Sequence, residues 1–189
     1  MSQPGRPKGE YRRAQPEGTP VGAAALPLDA QALYLKLRDG VRALLRPGTV
    51  LVGIWSGGAW LAERLHAELQ CAGAVGVISS TLHRDDFGAR GMAGGTDATK
   101  LPFAIEGSHI LLIDDVLYTG RTIRAVINEL YDFGRPARVD LAVLVDRGGR
   151  ELPIEPVFSA ARVALPRGQR LSLARDEQGR FSFDIKEAS

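Results

Sequence analysis

Two adjacent acids and a Thr-Gly-Arg-Thr segment stand close together in the middle of this chain, in ILLIDDVLYTGRT, Ile110 to Thr122. Four apolar residues deliver Asp114 and Asp115. A short bridge of Val116, Leu117 and Tyr118 follows, and Thr119-Gly120-Arg121-Thr122 leads into a helical pattern. A helix N-terminus offers unpaired N–H groups and the positive end of the helix dipole. Glycine lets the backbone approach a ligand closely, and two threonines add hydroxyl donors. The segment therefore has the make-up of a phosphate cradle. Carboxylates are poor partners for phosphate but good acceptors for vicinal sugar hydroxyls, directly or through a Mg²⁺ shell. A ligand carrying both a phosphate and a ribose diol fits this layout.

The surrounding pattern says what must position these groups. Leu33, Leu37, Val41 and Leu44 recur on one helical face, with Asp29 as an N-cap and Pro47-Gly48 as the stop. VLVGIW, 50–55, is a short apolar run of the kind found in buried strands. Ser56-Gly57-Gly58 follows, and then a helix with Leu61, Leu65 and Leu69. GVISST, 76–81, ILLI, 110–113, and VDLAVLV, 139–145, read as further strands. A helix over 121–133 carries Ile123, Val126, Ile127 and Leu130 on one stripe, and Gly134 and Pro136 end it. From Pro153 on, VFSAARVAL and FSFDIK are β-like. This alternation implies an α/β fold with a mostly parallel sheet, whose ligands gather at the carboxyl ends of the strands. The Gly-rich, charged stretch 83–100 reads as a long binding loop or lid.

A Walker A loop and a dinucleotide fingerprint are both absent. What remains, paired acids followed four residues on by Thr-Gly-x-Thr after a buried strand, resembles the phosphoribosyl-pyrophosphate (PRPP) motif of type I phosphoribosyltransferases. The likeness is closer still to the PyrR family, through DDVLYTGRTIRA, the GRP at 134–136 and LAVLVDRGGRELPI at 141–154. It runs from about Asp29 to the C-terminus. In that family one protein acts as uracil phosphoribosyltransferase and as attenuation regulator of pyrimidine-biosynthesis mRNA. The resemblance implies a type I phosphoribosyltransferase fold, with a parallel central sheet flanked by helices, a small hood and a flexible loop.

The same resemblance implies roles. Thr119, Gly120, Arg121 and Thr122 would hold the 5-phosphate of PRPP, beside Val116, Leu117 and Tyr118. Asp114 and Asp115 would take the ribose hydroxyls and the Mg²⁺. Tyr118 stands where many relatives in the superfamily have an acid, so no carboxylate base is invoked there. Ser56-Gly57-Gly58 falls where the family has a pyrophosphate loop reading Thr-Arg-Gly. Gly57 thus removes a cation that Arg84 or Lys100 could replace. Val145, Asp146 and Arg147 would border the pyrimidine. For RNA the family's histidine after VDRG is Gly149 here, Arg150 is kept, and Arg38 and Arg42 replace a Thr and His pair. PRPP, uracil, UMP and leader mRNA are the implied partners, in a homodimer or higher homo-oligomer. Other nucleobases, a sensing regulator with little catalysis, and a scaffold without catalysis remain open at this point.

Composition sets the outer bounds. The chain has 189 residues, 44% hydrophobic and 24% charged, with a net charge of +2. That suits one domain with its own core and excludes a polycation, so RNA binding would need a local basic patch. A single cysteine, Cys71, excludes a disulfide framework and a cysteine-based zinc site. No apolar run approaches the roughly 18 residues of a membrane span, and the N-terminus lacks a signal-peptide core. A cytoplasmic protein is expected. Residues 1–25, rich in Pro, Gly and Arg, read as a disordered basic arm preceding a phosphoribosyltransferase domain over 26–189.

Overall fold

In the computed structural model, which describes residues 28–79, 99–166 and 168–187, the apolar runs pair side by side as five parallel strands. They are β1 (Thr49–Ile54), β2 (Gly76–Ile78), β3 (His109–Leu117), β4 (Arg138–Asp146) and β5 (Phe158–Arg162), in the order β2-β1-β3-β4-β5. Successive side chains of a strand point to opposite faces. Leu111 and Ile113 of β3 therefore enter one core, and Ile110 and Leu112 the other. Covering both faces is what allows continuous Val/Ile/Leu runs. The first core is closed by α1 (Ala30–Leu44) and α2 (Gly57–Glu68), the second by α3 (Arg121–Phe133).

Local signals set several boundaries. The Asp29 carboxylate accepts from Gln31 N at 2.9 Å and Ala32 N at 3.0 Å, so it caps α1. The helix ends at Leu44, short of Pro47, and the turn before β1 closes with Thr49 N on Arg46 O. Helix α3 occupies the expected residues. β2 covers 76–78 of the expected 76–81, of which 80 and 81 lie outside the described residues, and β3 is longer than its apolar run. β3 continues four residues beyond ILLI, with Asp114 opposite Val143 and Leu117 opposite Asp146. The neighbouring β4 is long enough to carry this ladder, so the acids lie within the strand rather than after it. In the tail only 158–162 of VFSAARVAL forms a strand. An element not expected from the sequence, β6 (Gln169–Arg175), pairs antiparallel with β7 (Phe181–Glu187) to make the hood. Leu171, Leu173 and Phe181 fasten this hairpin to the first core. The basic arm, the loop over 80–98 and Arg84 lie outside the described residues.

At the amino edge of the sheet a polar chain crosses three strands. Thr49 Oγ1 meets His109 Nδ1 at 3.1 Å, His109 Nε2 meets Asp140 Oδ2 at 2.9 Å, and Arg138 Nε donates to the same oxygen at 2.7 Å. Burial raises the Asp140 pKa, but the bonds from Arg138 and His109 outweigh it and hold the carboxyl below its usual range. Glu68 is depressed in the same way, burial being outweighed by Arg64. A depressed folded pKa contributes stability that is complete above the unfolded value, about 4, and is lost as pH falls through the folded value. Urea midpoints are therefore expected to be flat from pH 7 to 5 and to fall below about pH 4. Asp140→Asn should flatten part of that acid limb.

Candidate active site

The carboxyl ends of β1, β3 and β4 and the hood enclose a cleft of about 450 Å³. Ser56, Gly57, the whole run from Asp114 to Ile123, Arg147, Glu151 and the hood residues Arg170 to Leu173 line it. Asp114 is only 6% exposed and its Oδ1 accepts the Asp115 amide at 3.0 Å. Asp115 is half-buried, and its Oδ2 accepts the amide of Leu173, on the hood, at 3.2 Å. Both acids border the same space as Thr119 to Thr122.

Helix α3 begins at Arg121 after Gly120, whose φ of 89° suits glycine and few other residues. No side chain caps the helix from that position. Thr119 Oγ1 accepts from Arg121 N at 3.3 Å, while the Thr119 carbonyl takes the amides of Glu151 and Leu152. The segment 150–154 thus packs behind the cradle, with Ile154 3.3 Å from where a Gly120 Cβ would stand. At the mouth Arg121 pairs with Glu151 at 2.7 Å.

The Ser56-Gly57-Gly58 turn is the start of α2 itself, and the Trp55–Ser56 peptide is cis. The helix begins so close to β3 that a Cβ on Gly58 would lie 2.2 Å from the Ile113 carbonyl oxygen.

At the other end of the cleft Arg147 is 7% exposed. Its Nη1 donates to Gln169 O at 2.8 Å and its Nη2 to Pro166 O at 3.3 Å, both leading into the hood. Its guanidinium lies 3.8 Å from the centre of the Tyr118 ring, a cation–π contact. Asp146 is buried and organises the following turn by accepting from Gly148 N and pairing with Arg150 at 2.8 Å. Val145 pairs with Val116 and Ala161 in the sheet. Arg147→Ala removes two charged hydrogen bonds and a stacking contact. It is expected to cost about 2 kcal/mol and to speed amide exchange across β6 and β7, read by urea unfolding and deuterium exchange.

Other residues singled out in the sequence lie elsewhere. Arg150 is 14% exposed at its side chain and binds Tyr118 O, Ile154 O and Asp146, so it holds the 146–154 turn together rather than facing solvent. Gly149 has a φ of 72°, and a Cβ there would meet the Tyr118 ring at 2.4 Å, so a larger residue at this position would require that ring to move. Arg38 and Arg42 lie on α1, both bonded to Asp39. Arg42 is 59% exposed and Arg38 28%. Lys100 bridges Val77 through its backbone and is not part of the cleft lining. Glu151 and the hood residues 170–173 were missed. The alternation of Leu171 and Leu173 is the signal that would have found β6.

In chemical terms the cleft offers amides and hydroxyls for a phosphate at one end and two carboxylates for a diol beside it. Among the described residues no three metal-ligating side chains cluster. A hard divalent ion would fit here by sharing Asp114 and Asp115 with oxygens of the substrate.

A phosphoribosyl transferase domain model matches residues 38–161. A bifunctional protein PyrR of Ralstonia nicotianae is 48% identical over 164 residues, 82% of this chain and 93% of the relative. A protein of the same name from Pseudomonas aeruginosa is 44% identical over 84% of this chain and 86% of its own. Among solved structures, a hypoxanthine phosphoribosyltransferase of Staphylococcus aureus superposes with a TM-score of 0.57 at 18% identity, covering 74% of this chain and 78% of that one. The hypoxanthine phosphoribosyltransferase of Trypanosoma cruzi gives 0.54 at 17%, covering 72% and 79%. At such identities these two structures speak for the fold alone.

Proposed function

Since this chain belongs to the PyrR family of phosphoribosyltransferases, we propose that it makes UMP from uracil and PRPP, and that it also binds pyrimidine-operon leader mRNA. N1 of uracil bonds to C1 of the ribose, the bond from C1 to pyrophosphate breaks, and the N1 proton is released. The observation that carries this reading is one cleft holding both paired carboxylates and the N-terminus of α3.

In this reading the amides and hydroxyls of 119–122 bind the 5-phosphate, and the α3 dipole favours its charge. Asp114 and Asp115 orient the diol, which fixes C1 toward the base. Arg147 and Tyr118 form the wall for the pyrimidine, whereas Val145, buried in the sheet between Val116 and Ala161, does not reach the cleft. Ser56 and Gly57 border the space left for pyrophosphate. Mg²⁺, held by Asp114 and Asp115, would neutralise the leaving pyrophosphate. The hood helps to exclude water, which competes with the base for an oxocarbenium-like C1. Positioning and charge stabilisation do most of the work in such a transfer.

Residues 26–189 are the catalytic domain in this account, working in the cytoplasm as a homodimer or higher homo-oligomer. No helix among the described residues is long and apolar enough to cross a membrane. The RNA half rests on the bifunctional name of the relatives and on the solvent-facing Arg42.

Incubation with PRPP, Mg²⁺ and each free base tests the enzyme, with UMP from uracil as the expected product. Formation of IMP or GMP instead would overturn the base assignment, and no nucleotide from any base would leave a regulator only. Filter binding of leader RNA across a salt series tests the other half. A steep loss of affinity with salt and a preference for leader sequence are expected.

A further inference from the structure

One charge at the phosphate end of the cleft has the wrong sign for a phosphate. Thr119 to Thr122 offer amides and hydroxyls, yet Glu151 lines the same space. Its Oε2 stands 2.7 Å from Nη2 of Arg121, the first residue of α3. The Glu151 side chain is 49% exposed and that of Arg121 58%. An ion pair so open to water adds little to folding stability. Stability alone therefore gives small reason for an acid here.

The backbone nevertheless fixes residue 151 closely. Its amide donates to the Thr119 carbonyl at 3.0 Å, and the Leu152 amide donates to the same oxygen at 3.2 Å. On the preceding side Arg150 is braced by bonds of 2.8 Å to Ile154 O and Tyr118 O. The carboxylate thus rises from a point tied to the cradle itself. A 5-phosphate on 119–122 turns its outer oxygens toward this mouth, away from Asp114, Asp115 and the ribose. Any second or third phosphoryl group on that phosphate has to leave the cleft past Glu151. There it meets a carboxylate, together with a guanidinium whose charge that carboxylate already offsets.

We propose that Glu151 is a specificity-determining residue: it favours ligands with a single 5-phosphoryl group, such as PRPP and UMP, over nucleoside di- and triphosphates. A single phosphoryl group stays within reach of the amides and the α3 dipole, which favour its charge. Each further group adds negative charge beside the carboxylate, and like charges at that range repel. Arg121 by itself would attract a polyphosphate, and its pairing with Glu151 offsets that pull. The inference rests on the assignment of the 5-phosphate to 119–122.

The test compares calorimetric affinities for UMP, UDP and UTP in the full chain as wild type, Glu151→Gln and Arg121→Gln. Low salt and the absence of divalent ions keep every phosphate charge in play. Glutamine at 151 removes the charge and keeps the backbone amide for Thr119. Wild type is expected to bind UMP more tightly than UDP, and UDP more tightly than UTP. In Glu151→Gln the ratio of UMP to UTP affinity should shrink about fivefold, and high salt should reduce that change. In Arg121→Gln, which removes the counter-charge of the acid, the ratio should widen. A ratio that is the same in wild type and Glu151→Gln would overturn the proposal, because a merely structural role weakens all three nucleotides alike. A wild type that binds UTP as tightly as UMP would also overturn it, as would a narrower ratio in Arg121→Gln. Wild-type protein that binds neither UMP nor PRPP would overturn the functional reading and the proposal with it, whereas UMP binding with an unchanged ratio sinks the proposal alone.

Discussion

Replacing Asp114 and Asp115 together by asparagine is expected to lower UMP formation by about a thousandfold, the scale on which loss of preorganised electrostatic groups is felt. The substitution removes charge and keeps shape. An asparagine at 114 still offers an oxygen to the Asp115 amide, and one at 115 still offers an oxygen to the amide of Leu173. The fold should therefore survive, and a nearly buried position such as Asp114 gives up the cost of desolvating an ion. What is lost is the strong acceptor for two sugar hydroxyls and the hard anionic partner for Mg²⁺. Initial rates at high PRPP, with circular-dichroism melting curves as the control, check both statements. Wild-type rates in a folded double variant would remove these acids from the mechanism.

Gly58→Ala is expected to destabilise the protein by about 3 kcal/mol, at the upper end of what overpacking costs. Its added methyl would stand 2.2 Å from the carbonyl oxygen of Ile113 and 3.0 Å from Cα of Asp114. Both are backbone atoms of β3, the middle strand of the sheet, so no flexible side chain can yield. Alanine's better helix propensity offsets up to about 1 kcal/mol and does not change the sign. The relief must come from moving the start of α2, which carries Ser56 and Gly57 at the cleft, away from the sheet. Urea unfolding should show the lost stability, and PRPP affinity should fall in parallel. A Gly58→Ala protein with unchanged midpoint would mean that the close approach of α2 to β3 is wrong.

Much of the cleft could be read from the chain because its signals are local. A run of four aliphatics, two acids and Thr-Gly-Arg-Thr lie within thirteen residues, and the α3 stripe, the Asp29 cap and the Gly134 stop each involve neighbours in sequence. Periodicity and turn chemistry act over that range, so strand β3, helix α3 and the turn between them were legible, while the order of the strands in the sheet was not. Even here the ladder with β4 extended β3 past the apolar run to Leu117, because strand length depends on what the partner strand supplies.

The hood belongs to the other category. β6 has only two buried leucines to mark it, and its place over the cleft depends on Leu173 reaching Asp115 and on Arg147 reaching Pro166 and Gln169. Arg150 is an arginine in a polar segment by its sequence, and only packing against Tyr118, Asp146 and Ile154 makes it an internal brace. Composition, periodicity and caps determined the fold class and placed the paired acids and the Thr-Gly-Arg-Thr turn next to each other. The tertiary structure alone decided which side chains share the cleft, because those contacts join residues tens of positions apart, where sequence carries no distance.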